Sequence, residues 1–352
     1  MDKRFTEISR RTLLAGSATL VAAPMVFGSR RAAANSDSVT MCNYGGSYQE
    51  ATVKAVYDPF TKETGIKVNI IPFPGLDKVK AMQVTGNVDI DVWLGGGQDT
   101  AAGSKGGFWE KLDPALFDVQ DMVIKPKSDY VTFETFLLGL AWDPAKYGQG
   151  KHPATFAEFF DVKKFPGRRM LRKAPVSSLE IALLGDGVAP KDIYPLDLNR
   201  AFRVFDRIKS NTVWAHTNPQ TISLLQTGEV DFGISYAGRV KSTTEPGAGV
   251  PLAFSFEQNI INDDCLAIVK GAPNKENAIK LIAYYLQPEV QARLYNLVAV
   301  TPGSKKAAAM LSPEMRKWQP DPNNANNRFV DNDYWAENYN AVSRRFQEWL
   351  MT

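Results

Sequence analysis

Two long extended segments, TFETFLLGLAWDPAKYG at 132–148 and VPLAFSFEQNIINDDCLAIVKG at 250–271, constrain this 352-residue chain more than any other feature. Between them, strand-like and helix-like pieces alternate as RRMLRKAP, SSLEIALLGDG, LDLNRAFRVFDRIKS, TVWAHT, PQTISLLQTG and EVDFGISYAGR. That run has apolar positions enough for its own core, and so does the stretch before it. A chain that leaves one core, builds a second and returns must cross between them twice. The expected fold is α/β, two-lobed, with one unit inserted into the other and an interlobe cleft that a hinge opens and closes.

The first unit reads as β-α-β-α-β. SVTMCNYGGS is a strand ending in a glycine turn, and YQEATVKAVYDPFTKETG places Ala51, Val53, Val56 and Phe60 near helical spacing before stopping at Gly65. IKVNIIPFPG is the next strand, LDKVKAMQVTG a short helix, and VDIDVWLGGGQD a strand that runs out into glycines. At the far end, Trp335, Tyr339, Val342, Phe346 and Trp349 recur every three or four residues, as in an amphipathic closing helix. The expected division is a removable leader at 1–34, lobe 1 at 35–140 plus 264–312, lobe 2 at 141–263, and a C-terminal helical segment at 313–352.

The leader is legible from ISRRTLLAGSATLVAAPMVF at 8–27. Its apolar run, Leu13 to Phe27, is shorter than the roughly 20 residues of a bilayer-spanning helix. Arg10 and Arg11 precede the run, and Ala32, Ala33 and Ala34 follow it as a cleavage site. The stretch from Ser9 to Leu14 resembles the twin-arginine export signal of bacteria, which implies a periplasmic protein exported already folded. The leader holds six of the 41 basic residues and two of the 38 acidic ones, leaving 35 against 36 in the remainder. So even a balance excludes nucleic acid as a partner and an anionic membrane surface as a docking site.

Cofactor chemistry is sparse. Cys42, Cys265, His152 and His216 stand far apart, with no zinc, haem or iron–sulfur spacing, so neither a metal nor a cofactor is expected. Both cysteines lie in strand-like runs, where buried free thiols are expected ahead of a disulfide. GGGQD at 95–99 has neither the P-loop ending nor the dinucleotide spacing. Trp93 and Trp142, at strand positions, are expected in the core.

Several phrases, taken in order, resemble the periplasmic solute-binding proteins of ABC importers, and within them the spermidine/putrescine-binding group: YGGSYQEATVKAVYDPFTKETGIKV, FPGRRMLRKAPVSSLEIALLGDG, LLQTGEVDFGISYAGR, DDCLAIVKGAPNKENAIKLIAYYLQPEVQARL and AVTPGSKKA. The resemblance implies two α/β lobes, a hinge, no catalysis, a monomeric receptor, and delivery of a captured small-molecule solute to the permease subunits. It assigns Tyr44 as a stacking aromatic, Glu180 and Asp264 as ligand carboxylates, and Tyr236 as a second aromatic. It also marks departures: Ser177 where the group has an acid, Asn262 where it has tryptophan, and Ala299 where it has an aromatic.

An ammonium losing its hydration on cleft closure needs carboxylates and ring faces, which suits Tyr44, Tyr236, Asp264 and Glu180. Glu180 opens a helix, where an acid also offsets the helix dipole, and Asp264 beside Asp263 can simply end a strand. The turn YGGS, with Gly45 and Ser47, exposes backbone N–H groups suited to a carboxylate, phosphate or phosphonate, or serves only as a turn. The expected solute is therefore small and cationic or zwitterionic: a polyamine-like amine, an amino acid derivative or an aminophosphonate. Two alternatives stay open. One is an exported cofactor-independent hydrolase or lyase, although the chain shows no GxSxG. The other is a ferric-ion receptor of the same fold, although the adjacent Tyr284 and Tyr285 fall in the helix AIKLIAYYLQ.

Overall fold

A computed structural model describes residues 37–321 and 323–352, and the leader lies outside them. β1 (Ser38–Asn43) is followed by α1 (Gly46–Thr52), a π turn at Val53–Tyr57 and α2 (Asp58–Thr64). Gly65 closes α2 in the left-handed region at φ 74°, which a residue with a Cβ resists. Next come β2 (Lys67–Pro72), α3 (Leu76–Thr85), β3 (Val92–Gly96), α4 (Gly97–Lys105) and the long strand β4 (Tyr130–Trp142).

The inserted half comprises α5 (Phe156–Phe160), β5 (Arg169–Arg172), α6 (Ser178–Gly185), α7 (Leu198–Asp206), β6 (Thr212–Ala215), α8 (Gln220–Gln226), β7 (Phe232–Tyr236) and α9 (Ala237–Ser242). The return runs through β8 (Ala253–Phe254) and β9 (Ile260–Ile268). The chain then finishes with α10 (Lys275–Tyr285), α11 (Pro288–Tyr295), β10 (Thr301–Pro302), α12 (Lys305–Ala309), α13 (Pro313–Arg316), β11 (Arg328–Phe329) and α14 (Asn332–Met351).

The main strands form one sheet in the order β2-β1-β3-β9-β4-β7-β5-β6. β1 pairs in parallel with β2 and β3, and β5 in parallel with β6 and β7. Each half thus places its first strand in the middle. β9 runs antiparallel to β3 and β4 antiparallel to β7, while β4 and β9 pair with each other from Tyr130↔Ala267 to Leu138↔Ile260. These are the two expected crossings, and both strands are buried over nearly their whole length, as a strand sandwiched in a sheet must be.

Two cores flank the crossing. One packs Trp93, Phe133, Tyr285 and Tyr295 around β1, β3 and α10. The other packs Phe156, Phe205, Phe232, Phe346 and Trp349 around α6, α7 and α14. A smaller cluster with Met170, Leu225 and Val240 covers the opposite face of the second half. Trp93 and Trp142 both belong to these cores, and Cys42 and Cys265 are buried and unbridged. Tyr284 and Tyr285 also pack into the first core, with the Tyr284 hydroxyl on Glu63 at 2.9 Å.

The closing helix buries Trp335, Val342, Phe346 and Trp349 as its spacing predicts, but Tyr339 departs from that stripe and stays 44% exposed. Its ring only edges Trp335, 6.3 Å away. No helix among the described residues is long and apolar enough to cross a membrane.

Phe346 is fully buried and sits edge-on to Phe205 and Trp214. Phe346→Ala should lower the unfolding free energy by about 3–5 kcal/mol, as other large-to-small core changes do. Urea titration followed by tryptophan fluorescence measures this, and a loss below about 1 kcal/mol would mean that α14 is not part of the core.

Candidate functional site

In a sheet whose first strand lies in the middle, the loops at the carboxyl ends of the two central strands depart to opposite faces and leave a crevice. Here each half has one. Asn43 and Tyr44 with Gly95 and Gly96 mark the crevice of the first half, and Arg172 with Tyr236 marks that of the second. Gly45 (φ 77°, ψ −174°) and Gly46 (φ 62°) turn the chain sharply out of β1, and the first of these conformations is almost restricted to glycine. Tyr44 is thereby left 45% exposed over the crevice.

The Tyr44 hydroxyl donates to Asp264 Oδ1 at 2.8 Å, across 220 residues of sequence. Asp264 in turn bonds to the side chain of Glu134, its register partner on β4. Glu134 Oε2 also accepts from Tyr48 at 2.8 Å and from Tyr295 at 2.9 Å. Burial pushes the Asp264 carboxyl up to about 6 despite the lowering from Tyr44 and Glu134, with Asp263 and Asp99 adding repulsion. Burial likewise lifts Glu134 well above the carboxylate range, and Asp264 adds to it. No lysine or arginine among the described residues pairs with either carboxyl. The result is a buried pair of carboxyls held by three tyrosine hydroxyls, with no cation paired to it among the described residues.

A register shift between Thr132 and Glu134 makes this pair possible. Thr132 points to the other face, where its hydroxyl meets Asp263 at 2.8 Å, and the extra residue re-aims Glu134 at Asp264.

The remaining expected residues are placed differently. Glu180 is fully buried in α6, where its Oε1 accepts from Tyr194 and from Trp335 Nε1, both at 2.6 Å. Burial raises its carboxyl, and the hydrogen bonds from Tyr194 and Trp335 partly restore it. Its Oε2 is buried without a partner. Ser47 is exposed on the first turn of α1. Tyr236 ends β7 with its ring 5.8 Å from Phe136, and burial raises its hydroxyl, which the charges of Arg172 and Arg239 lower and that of Asp264 raises. Ser177, at φ 68° the non-glycine residue with a left-handed backbone, hydrogen-bonds through its hydroxyl to Asn262 at 3.2 Å.

Glu134, Tyr48, Tyr295 and Arg172 did not emerge from the sequence. For Glu134 there was a signal: a lone acid in the otherwise apolar run FETFLLGLAW. The two tyrosines and Arg172 carry none, since only the folded register brings them together.

A model of bacterial extracellular solute-binding proteins matches residues 55–326. The chain is 31% identical to a gamma-aminobutyric acid-binding protein of Pseudomonas aeruginosa, over 90% of this chain and 92% of that one. It is 24% identical to the spermidine/putrescine-binding periplasmic protein of Escherichia coli, over 94% and 95% of the two chains. The solved structure of the GABA receptor Atu4243 superposes with a TM-score of 0.83 at 30% identity, covering 89% of this chain and 97% of that one. Such relatives are two-lobed receptors for small solutes, and those with polyamine ligands are named as periplasmic.

Two raised carboxyls make a definite pH signature. Both bind protons more tightly folded than unfolded, where aspartate and glutamate titrate near about 4. The contribution of these two groups to the stability of the empty protein is therefore fullest below about pH 4 and falls as pH rises through the folded value of about 6 for Asp264. Glu134→Gln removes one buried charge and keeps an acceptor for Tyr48 and Tyr295. It should raise the ligand-free melting temperature at pH 7.5, with the gap closing near pH 4. A gap that is equal at both pH values in differential scanning fluorimetry would exclude the shared carboxyl pair.

Proposed function

The chain belongs to the bacterial extracellular solute-binding proteins, and on that premise we propose that it captures a small solute bearing an ammonium group and hands it to the permease of an ABC importer. The observation that carries this reading is the Tyr44–Asp264–Glu134 cluster, two buried carboxyls with tyrosine donors and no paired cation, beside the crevice of the first half. Desolvated ammonium groups are stabilised by buried carboxylates and by ring faces, the latter worth roughly 0.5–2 kcal/mol each. Tyr44, Asp264 and Tyr236 take the solute directly. Gly45 shapes the turn that lifts Tyr44, and Ser47 lines the same turn. Glu180 holds the wall of the second lobe through Trp335 and Tyr194.

On this reading the protein is a monomeric receptor and not an enzyme. It works in the periplasm, reached through the twin-arginine leader at 1–34. Lobe 1 takes residues 35–140 and 264–312 and lobe 2 takes 141–263, so that both boundaries fall within the strands β4 and β9. The gamma-aminobutyric acid and polyamine ligands named for relatives fit a solute with at least one ammonium.

A solute present at a hundredfold excess over its dissociation constant stabilises the protein by about 2.7 kcal/mol. Fluorimetric screening of diamines, amino acids and aminophosphonates should therefore find a ligand that raises the melting temperature. Asp264→Asn should then weaken that ligand by about 2–5 kcal/mol in calorimetry, the loss that follows truncation of a buried charge pair. An unchanged dissociation constant would take Asp264 out of the site.

A further inference from the structure

Glu134 and Asp264 stand directly opposite each other where β4 pairs with β9, and both are almost wholly buried. Their side chains are hydrogen-bonded to one another. Ionised carboxylates only accept, so a hydrogen bond between two carboxyls needs a proton on one of them. No ion pair among the described residues brings a cation to either, and a second negative charge so close to the first is opposed in a dry site.

The tyrosines decide which carboxyl keeps the proton. Tyr48 and Tyr295 both donate to Glu134 Oε2, which leaves Oε1 to carry a hydrogen toward Asp264. Asp264 takes a second donor on Oδ1 from Tyr44, the member of the cluster that reaches the open crevice. The other groups facing Glu134 are Tyr57 from the π turn and Tyr285 from α10, and burial keeps these hydroxyls neutral as it does those of Tyr48 and Tyr295. Around Asp264, burial likewise keeps Tyr44, Cys265 and Tyr236 neutral, while the charges of Asp263 and Asp99 resist a further one. Burial lifts Glu134 well above the carboxylate range and Asp264 only to about 6, which agrees with the hydrogen-bond pattern.

We propose that Glu134 is a positioning residue that stays protonated near neutral pH and donates to Asp264, so that the pair offers one negative charge to one ammonium group. It acts on the solute through Asp264: its O–H fixes that carboxylate, and its proton halves the charge of the pocket. The part played by the ammonium rests on the receptor reading, whereas the shared proton belongs to the empty protein. An ammonium beside Asp264 favours the ionised form, which is already present above about pH 6. Below that value the entering ammonium expels one proton to solvent, and affinity falls by up to about tenfold per pH unit.

Infrared difference spectra of the ligand-free protein at pH 7.5, wild type minus Glu134→Gln, should show the band of one protonated carboxyl. Calorimetry with gamma-aminobutyric acid and with putrescine, the ligands named for relatives, in buffers of different ionisation enthalpy should count about one proton released at pH 5 and close to none at pH 7.5. Glu134→Ala leaves Tyr48, Tyr295 and Asp264 without their partner and should weaken the probe that binds by about tenfold or more. Glu134→Gln copies the acceptor and the donor of a neutral acid and should recover most of that loss. A spectrum without the band, no proton released at pH 5, an Ala variant as tight as wild type, or a Gln variant as weak as the Ala variant would overturn the neutral Glu134 and leave the receptor standing. Binding of neither probe would overturn the receptor reading, and the infrared band would still decide the proton.

Discussion

The antiparallel pairing of β4 with β9 is the constraint from which the other features follow. Both strands are buried, so every backbone group must find a partner along two edges. β4 gives one edge to β9 and the other to β7, while β9 gives its second edge to β3. The sheet is thereby continuous through both halves. A strictly regular ladder would have put Glu134 on the same face as Thr132, against Asp263. The one-residue shift near Phe133 turns it to Asp264 instead, and three tyrosine hydroxyls supply the donors that make two buried carboxyls tolerable.

Element order was readable in advance because the local signals agree with the global fold. Gly65, Gly86 and Gly228 end helices or turns at positive φ, as their places after apolar periods suggest. The extended segments were long enough to be crossings and proved to be. Register was not readable, and the site depends on register. Tyr44 and Asp264 could be named from a family resemblance, but their hydrogen bond could not, and Tyr295 meets Glu134 across 161 residues. Arg172 looked like one of several basic residues in RRMLRK. Only the strand order that brings β5 and β7 side by side sets it beside Tyr236. Tyr339 shows the opposite failure, a residue on the right stripe with nothing packed over it.

Two departures from the polyamine-binding pattern meet each other in space. Ser177 replaces an acid and Asn262 replaces a tryptophan, and the two side chains are hydrogen-bonded where α6 begins. Ser177 holds a left-handed backbone, a conformation that costs on the order of 1–3 kcal/mol for such a residue and persists only where its surroundings over-determine it. A small neutral pair thus stands where the resemblance implies an acid and a tryptophan.

The closing helix is fastened unequally at its two ends. Near its start it is tied by side chains that water reaches: Lys105 to Glu337 and Lys127 to Asp333, with Asn332 reaching the buried Asp263. Trp335 lies buried among these ties, and further along Phe346 and Trp349 are sunk in the same aromatic core. Exposed ion pairs contribute about 0–1 kcal/mol each and are screened by dissolved salt, whereas apolar burial is not. Ionic strength therefore acts on the exposed ties near the start of the helix and leaves its aromatic anchorage untouched.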